Sequence, residues 1–459
     1  MAQRMVVIGG DAAGMSAASQ ARQLRGPDEL SIVAFERGRF TSYSACGIPY
    51  WISGLVDDPQ ELIVRDPETF RRDHHIDVRI RHEVTRIDLA AREVVATSFG
   101  DGGREVHEPF DTLVYATGAA PAQPPWAGNA AAGVFGVQTL DDGAALRDWL
   151  DQEPAPRRAV VVGGGYIGVE MAEALIRRGL AVTLVERSPQ PMSTVDPDMG
   201  ALVRSALVAL GIDVRTGVSV TGLHERDGRV CEVLTDDGAV PADVVVLGLG
   251  VRPNTGLAEQ AGLPIGVTGG VRTDLQMRVV GVPDVWAAGD CVETFHRVSG
   301  QPVHIPLGTH ANKQGRVAGI NIGGSYATFP GVIGTAITKV CDLEVARTGL
   351  LEREAAKAGY AYVSATVESN NRAGYFPGAA PMTIKLIAEQ HTGQLLGGQI
   401  VGTSEAAKRI DVLSVAVWNR MSVAEMTALD LGYAPPYSPV WDPVLVAARR
   451  ANDAVAETP

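Results

Sequence analysis

Cysteine is scarce in this sequence of 459 residues, and its four copies lie far apart. They occupy positions 46, 231, 291 and 341, with no C-x-x-C pair and no other close spacing. Neither a zinc site nor a disulfide framework can be inferred from such a pattern. We therefore expect that any cysteine chemistry uses one sulfur, without a resolving cysteine nearby in the chain.

A surplus of positive charge and long apolar runs are also lacking. Lys and Arg number 40 against 53 Asp and Glu, and the net charge of -13 argues against general affinity for nucleic acid or anionic lipid. The apolar run before Gly9 is too short for a secretory signal, and no run reaches the roughly eighteen residues of a membrane span. We expect a cytoplasmic protein that binds no metal, nucleic acid or membrane.

Glycine, in contrast, is abundant, with 52 copies. It permits tight turns and close approach of the backbone to a ligand. The length predicts two or three domains. A strand–helix–strand pattern occurs twice, which predicts two nucleotide-binding units. The first pattern covers 5–9, 12–24 and 30–36, and the second covers 159–163, 166–178 and 181–186.

The remaining segments predict further strands and helices. Strands are expected at 79–89, 93–98, 113–117, 244–250 and 285–288, and the polar stretch 100–108 is expected to break the strand pattern. After about residue 325 the pattern changes to strands at 335–339, 360–368 and 383–388 and helices at 405–419 and 423–429. This change predicts a separate α+β domain at the C-terminus.

The glycine-rich loop of the second unit has the features of a dinucleotide fingerprint. Its glycines follow a strand and open a helix, and Glu186 closes the next strand. Glu186 favours NADH because a 2'-phosphate would be repelled, whereas Arg187 keeps NADPH open. The residues expected to bind this nucleotide are Gly163, Gly165, Tyr166, Ile167, Gly168, Glu186 and Arg187.

The loop of the first unit is less regular, because Asp11 stands where the middle glycine is expected. Glu36 at the end of the following strand supports a nucleotide site here too. Two later segments, 112–118 (TLVYATG) and 285–291 (VWAAGDC), complete a pattern. With the two loops in this order, the chain resembles the pyridine nucleotide-disulfide oxidoreductases over essentially its whole length.

The resemblance implies an FAD enzyme that also uses NADH or NADPH. Its fold class would be α/β, with two Rossmann-like domains for FAD and NAD(P) and a C-terminal α+β dimerisation domain. The implied FAD domain comprises 1–118 and 250–325, the NAD(P)H domain 119–249 and the dimerisation domain 326–459. Implied cofactor ligands besides those of the second loop are Gly9, Gly10, Asp11, Ala12, Ala13, Gly14, Glu36, Arg37, Ala116, Thr117, Gly118, Gly250, Gly289 and Asp290.

The cysteine pattern is similar to the single-cysteine branch of that family. Disulfide reductases of the glutathione type carry C-x-x-x-x-C after the first unit, but this chain has only Cys46 there. Those enzymes also use a C-terminal His-Glu pair as acid and base, and this chain has no histidine after His391. Peroxidases of the single-cysteine branch carry a histidine in the first glycine loop, where this chain has Ala12. The missing histidine disfavours a dedicated peroxidase.

Two C-terminal segments resemble coenzyme A-disulfide reductases. They are 371–378 (NRAGYFPG) and 432–438 (GYAPPYS). In those enzymes a tyrosine from each segment reaches the cysteine of the other subunit, so the resemblance implies a homodimer in which Tyr375 and Tyr433 act at Cys46. Packing at a subunit interface is the alternative for both tyrosines.

The implied coenzyme A contacts match in part. Ser16, Gln20 and Ser42 fit the family pattern, and Arg22 lies nearby in the chain. Ala45 departs from the pattern, because asparagine usually precedes the cysteine. Arg71, Arg72 and His74 could meet the phosphates as charge-assisted donors, or they could form a solvated helical face.

The resemblance implies a coenzyme A-disulfide reductase, in which NAD(P)H reduces the flavin and electrons then pass to a disulfide at Cys46, the residue where coenzyme A would be bound. The site should lower the pKa of the Cys46 thiol, because Pro49 predicts a helix that begins just after it. The alternatives are an NADH oxidase, a persulfide or polysulfide reductase, and a flavin electron-transfer partner of the ferredoxin reductase type.

Overall fold

The computed structural model of the chain describes residues 2–100, 102–127 and 131–457. Within those ranges, no helix combines the length and the apolar character that crossing a lipid bilayer requires. The helices are α1 (Ala12–Leu24), α2 (Ile48–Ser53), α3 (Pro67–His74), α4 (Leu140–Leu150), α5 (Tyr166–Arg177), α6 (Pro197–Ala209), α7 (Gly256–Gln260), α8 (Gly308–Ile322), α9 (Glu352–Lys357), α10 (Ile410–Trp418), α11 (Val423–Met426) and α12 (Pro443–Glu457).

The strands of the first half alternate between buried β-branched runs and short polar hairpins. They are β1 (Gln3–Ile8), β2 (Leu30–Phe35), β3 (Ile76–Arg79), β4 (His82–Asp88), β5 (Glu93–Ser98), β6 (Arg104–Pro109), β7 (Thr112–Tyr115), β8 (Ala119–Pro121), β9 (Val134–Gly136), β10 (Arg158–Val162), β11 (Ala181–Glu186), β12 (Asp213–Thr216) and β13 (Val220–Arg226).

The strands of the second half end in a C-terminal set of long antiparallel strands. They are β14 (Arg229–Thr235), β15 (Gly238–Pro241), β16 (Val244–Leu247), β17 (Val251–Pro253), β18 (Val271–Arg272), β19 (Val285–Ala287), β20 (Val292–Phe295), β21 (Pro302–Val303), β22 (Ala336–Val340), β23 (Leu343–Gly349), β24 (Tyr362–Asn370), β25 (Pro381–Glu389) and β26 (Leu395–Thr403).

The first nucleotide unit is built on a parallel sheet in the order β19-β7-β1-β2-β3. Its central strand β1 is apolar because helices cover both faces of such a sheet, and Met5, Val6 and Val7 are fully buried. Strand β19 belongs to this sheet although some 170 residues separate it from β7. The N-terminal segment and the segment near residue 290 therefore form one structural unit.

The second nucleotide unit repeats this plan with the parallel sheet β12-β11-β10-β16-β9. Each unit also carries a three-stranded antiparallel sheet, β4-β5-β6 in the first and β13-β14-β15 in the second. The prediction of a break at 100–108 is therefore wrong in part, because β6 occupies Arg104–Pro109. This strand is stabilised by Glu108, whose carboxylate accepts a hydrogen bond from Arg79 at 2.8 Å.

The C-terminal region is an antiparallel sheet in the order β22-β23-β26-β25-β24. Helices α10, α11 and α12 pack with this sheet around one apolar core. The predicted fold class, two Rossmann-like units followed by an α+β domain, is thus confirmed. The residue boundaries given above for the three domains stay a prediction.

Candidate functional site

The first glycine loop lies at the carboxyl ends of β1 and β7, where a parallel sheet binds ligands. Gly9 has φ +108°, and a Cβ atom at this position would lie 2.1 Å from the carbonyl oxygen of Ala116. Only glycine can therefore occupy the position, and the loop lies directly against the predicted segment Ala116, Thr117 and Gly118. Gly163 in the second loop repeats the feature, with φ +99° and a Cβ position 2.4 Å from the carbonyl oxygen of Gly248.

A glutamate follows each loop and is held in the same way. The carboxylate of Glu36 accepts from the backbone N–H of Gly10 at 2.8 Å and of Gly38 at 2.7 Å. The carboxylate of Glu186 accepts from the N–H groups of Gly164 and Ser188, both at 2.7 Å. Both carboxylates are thus fixed beside a glycine loop, as a ribose-binding acceptor requires.

Arg37 and Arg187, the residues after these two glutamates, are both exposed to solvent. Arg37 lines a cavity of about 400 Å³ beside Glu36. Residues of both nucleotide units line this cavity, including Gly136 and Leu247 from the second unit. The space next to Glu36 is therefore shaped by both units.

Two aspartates flank the first loop. Burial raises the pKa of Asp11 to about 6, and the negative charges of Glu36 and Asp290 add to the rise. Burial also raises the pKa of Asp290, and no hydrogen bond to its carboxylate is found within the described part of the chain. A half-buried carboxylate without a donor fits a ligand that brings hydroxyl groups, such as the ribityl chain of a flavin.

The segment before Cys46 is fastened to this loop. Thr41 is buried, and its hydroxyl donates to the carbonyl of Gly10. The N–H of Ser42 donates to the same carbonyl at 3.2 Å, and the N–H of Tyr43 donates to the carboxylate of Asp11 at 3.2 Å. Ser42 has φ +50°, a left-handed conformation in which most residues are strained. These contacts fix the chain that leads to the sulfur.

Cys46 has a solvent-exposed side chain in the 3-10 turn Ala45–Gly47, and α2 begins directly afterwards with Pro49 in its first turn. The predicted helix after the cysteine is therefore confirmed. The predicted lowering of the thiol pKa is wrong for the chain by itself. Protein packed around the sulfur raises the pKa of Cys46, and the negative charges of Glu170 and Asp290 raise it further.

Glu170 was missed by sequence reasoning. It lies on α5, one turn after the second glycine loop, and its carboxylate accepts from the hydroxyl of Thr338 at 2.7 Å. Burial raises the pKa of Glu170, and the donation from Thr338 moderates the rise. The only sequence signal for Glu170 was its position in the helix that follows the second glycine loop. Its hydrogen-bond partner Thr338 is 168 residues away in the chain, so local sequence could not indicate the pair.

The two C-terminal tyrosine segments lie side by side. The N–H of Ala373 donates to the carbonyl of Pro435 at 3.1 Å, and Arg409 bridges the carbonyls of Asn371 and Tyr437, each at 2.7 Å. The rings themselves point to solvent in the single chain, where Tyr375 is 78% exposed and Tyr433 is 49% exposed. No hydrogen bond joins either tyrosine to the Cys46 of the same chain within the described residues.

The residues predicted to bind substrate form two groups. Ser16, Gln20 and Ser42 are partly accessible to solvent near the first loop, and the Ser16 hydroxyl donates to Asn312 at 2.8 Å. The guanidinium of Arg22 instead donates to the carbonyls of His74, Arg25 and His75, which stabilises the end of α3. Arg71 pairs with Asp77 at 3.3 Å and Arg72 with Asp73 at 2.7 Å on the surface. In this conformation the three arginines are engaged within the protein.

Residues 3–315 match the family model of the pyridine nucleotide-disulphide oxidoreductases, and residues 335–443 match the dimerisation domain of the same family. The NAD(P)H coenzyme A polysulfide/persulfide reductase of Pyrococcus horikoshii is 38% identical over 450 residues, 98% of either chain. The coenzyme A disulfide reductase of Staphylococcus haemolyticus is 28% identical over 98% of this chain and 100% of that protein.

The structure of a NAD-dependent persulfide reductase from A. fulgidus superposes with a TM-score of 0.94 and 40% identity, over 98% of this chain and 83% of that one. The dimerisation domain supports a homodimer. The chain belongs to the pyridine nucleotide-disulphide oxidoreductases, and it is an FAD-dependent oxidoreductase of that family, which uses NAD(P)H.

Proposed function

We propose that the chain is an NAD(P)H-dependent reductase of sulfur–sulfur bonds, with Cys46 as its redox residue and coenzyme A disulfide as its substrate. The observation that carries the proposal is the position of Cys46. Its side chain is exposed, while the preceding segment is hydrogen-bonded to the first glycine loop through Gly10 and Asp11. An exposed cysteine held beside a nucleotide loop supports a role in redox chemistry rather than in packing.

The residues fit FAD in the first unit and NAD(P)H in the second. We assign to FAD the loop from Gly9 to Gly14, Glu36 with Arg37, the segment from Ala116 to Gly118, and Gly289 with Asp290. We assign to NAD(P)H the second loop from Gly163 to Gly168 and Glu186 with Arg187; Gly250 lies between the units. When bound, FAD would accept a hydride from NAD(P)H and make an electron pair available for reduction of sulfur.

The step performed by the chain itself takes place at Cys46. Its thiolate attacks one sulfur of the disulfide R–S–S–R, which forms a mixed disulfide with Cys46 and releases R–S⁻. The released thiolate takes up a proton. NAD(P)H is the source of the two electrons that return Cys46 to its thiolate and release the second R–SH.

Tyr375 and Tyr433 would act in a homodimer. Both rings are exposed in the single chain, and the contacts between their segments hold them on one surface. From a second copy, their hydroxyl groups would donate to the Cys46 thiolate and to the leaving thiolate. Such donors would favour the charged form of Cys46, opposing the protein packed around the sulfur and the negative charges of Glu170 and Asp290, which raise its pKa.

A persulfide of coenzyme A is the second candidate substrate. The relative named for polysulfide and persulfide reduction is 38% identical to this chain, against 28% for the relative named coenzyme A disulfide reductase. The solved persulfide reductase is 40% identical. The same attack by Cys46 serves both substrates, and they differ in the size of the group on the second sulfur.

The experiment that tests the proposal measures NADH and NADPH oxidation by the purified holoenzyme. Coenzyme A disulfide, coenzyme A persulfide and oxygen alone are compared, each with Cys46→Ser and with Cys231→Ser as a matched control in the second unit. Loss of the nucleophile should lower disulfide reduction by at least about a hundredfold. Bleaching of the flavin by NADH without oxygen should persist in Cys46→Ser.

Cys231→Ser should behave as the wild type. Disulfide reduction at the wild-type rate by Cys46→Ser would contradict the role of the sulfur. Faster turnover of the persulfide than of the disulfide would select the second candidate, and turnover with oxygen alone at the same rate would favour an oxidase.

A further inference from the structure

Helix α5 connects the second glycine loop to the surroundings of Cys46. It begins at Tyr166 within the loop and carries two carboxylates, Glu170 and Glu173, that lie one turn apart on one face. Helix α2, which follows Cys46, packs against it: Ile48 and Ile52 share one apolar cluster with Val169. The carboxylate face of α5 is therefore held near the cysteine.

Strand β22 of the dimerisation domain meets the same two carboxylates. The hydroxyl of Thr338 donates to Glu170 at 2.7 Å, and the ammonium of Lys339 lies 3.2 Å from Glu173. The N–H of Cys341 also donates to Glu173 at 2.7 Å. Thr338 is only 4% exposed, so its hydroxyl has no access to bulk water to replace this contact.

The contacts of β22 extend to the cysteine's own helix. The ammonium of Lys339 lies 5.5 Å from the centre of the Tyr50 ring, four residues after Cys46 in the chain. Val340 joins the apolar cluster that contains Ile48 and Val169. One strand of the dimerisation domain thus contacts both α2 and α5.

We propose that Thr338 is a positioning residue: its hydroxyl fixes the orientation of the Glu170 carboxylate on the face of α5 near Cys46, and so controls how readily the thiolate forms. The inference rests on the proposed redox role of Cys46. The dimerisation domain would then adjust the chemistry of the site within one chain, in addition to any residue that it supplies to a second copy.

The charges around the two groups set the direction of the effect. The protein packed around the sulfur raises the pKa of Cys46, and the negative charges of Glu170, Asp290 and Asp11 raise it further. Burial raises the pKa of Glu170, the hydrogen bond from Thr338 lowers it, and the charges of Glu173 and Lys339 raise and lower it respectively. Without the Thr338 hydroxyl, the pKa of Glu170 rises further and its carboxylate is no longer fixed in orientation. The negative potential at the sulfur of Cys46 therefore falls. A weaker negative potential favours the thiolate.

The test follows alkylation of Cys46 by iodoacetamide as a function of pH in the reduced holoenzyme, with the modified peptide quantified by mass spectrometry. The variants are Thr338→Val, which keeps the shape but loses the hydroxyl, Thr338→Ser, which keeps the hydroxyl, and Glu170→Gln. Thr366→Val is a matched control at an exposed threonine of the same sheet. The assay needs no disulfide substrate, so its result is independent of which acceptor the enzyme reduces.

We expect Glu170→Gln to move the alkylation midpoint down by about one pH unit, because one negative charge is lost. Thr338→Val should move it in the same direction by a smaller amount and should have no further effect in the Glu170→Gln background. Thr338→Ser and Thr366→Val should match the wild type. An unchanged or raised midpoint in Thr338→Val, or a shift of equal size in the Glu170→Gln background, would overturn the proposal.

Discussion

Replacing Lys385 by methionine removes a buried positive charge that three carboxylates share. The ammonium is 4% exposed and lies 2.9 Å from Asp198, 3.0 Å from Glu352 and 3.3 Å from Asp196. Lys385 belongs to β25 of the dimerisation domain, whereas Asp196 and Asp198 lie at the start of α6 in the second nucleotide unit. The substitution therefore acts on the contact between these two parts of the chain.

The size of the effect follows from the groups that remain. Removing one partner of a buried ion pair costs about 3–5 kcal/mol. Asp196, whose side chain is 2% exposed, keeps donations from Gln399 at 2.6 Å and from the N–H of Glu352 at 3.2 Å. Because these donors still compensate part of its charge, we expect the lower end of the range, about 3 kcal/mol. Since about 1.36 kcal/mol corresponds to a factor of ten, local opening should become about 150-fold more frequent.

Hydrogen exchange measured by mass spectrometry on the holoenzyme reports this opening. Peptides from the start of α6 and from β25 should lose about 150-fold in protection, and peptides from β1 and β2 should be unchanged. Lys408→Met is the matched control, because Lys408 is 79% exposed and its pair with Asp411 contributes at most about 0.5 kcal/mol. Less than a threefold loss of protection in Lys385→Met, or an equal loss in all peptides, would refute the reasoning.

The pH dependence of the same effect has a definite sign. Burial by itself lowers the pKa of Lys385, but donation to Asp198 and Glu352 outweighs burial and the net shift is upward. A raised pKa means that the stabilisation is complete below the unfolded value of about 10.4 and is lost only as pH rises through the folded value. The difference in protection between wild type and variant should therefore be constant between about pH 7 and pH 9.

Three further changes test the site. Tyr433→Phe should slow disulfide turnover about ten- to a hundredfold, as expected for the loss of a hydrogen bond to a charged group, and should retain anaerobic flavin reduction by NADH. Tyr326→Phe, at another exposed tyrosine, should have no effect on turnover. Equal turnover rates for the two variants would contradict the role of Tyr433. Gly9→Ala should yield protein without bound flavin, because the new Cβ would lie 2.1 Å from a carbonyl oxygen, whereas Gly26→Ala, with open space around it, should purify with flavin. Asp11→Asn in flavin-free protein should raise the melting temperature more at pH 7 than at pH 4. The pKa of Asp11 is raised to about 6, so the ionised carboxylate destabilises the folded protein at pH 7 but is largely protonated at pH 4. An equal change in melting temperature at both pH values would argue against a buried charge.

The nucleotide units could be predicted from the sequence because their signals are local. Glycine loops, buried β-branched strands and a glutamate at a strand end lie within about 30 residues of one another, and the boundaries of α1 agree with the prediction. Strand β26 was not predicted, because three glycines interrupt its pattern, and it is stabilised by β23 and β25 on either side. Helix α12 was also not predicted, although its apolar face packs in the C-terminal core.

The surroundings of Cys46 could be predicted only in part. Pro49 indicated the helix that follows the cysteine, and that prediction is confirmed. The pKa of the sulfur depends on Glu170, and Glu170 is held by Thr338, a contact that spans 168 residues. Neither local pattern nor composition contains such a contact, because it arises only when the two domains fold against each other.

The contact of β22 with α5 has a consequence for engineering. A chimera that exchanges the C-terminal domain between relatives changes more than the surface that pairs two subunits. In this chain the exchanged domain would carry the Thr338 hydroxyl and the Lys339 ammonium, which contact the two carboxylates of α5. A recombinant built at residue 330 would therefore also exchange the partners of Glu170 and Glu173, whereas a crossover placed after Cys341 would keep these contacts within one parent.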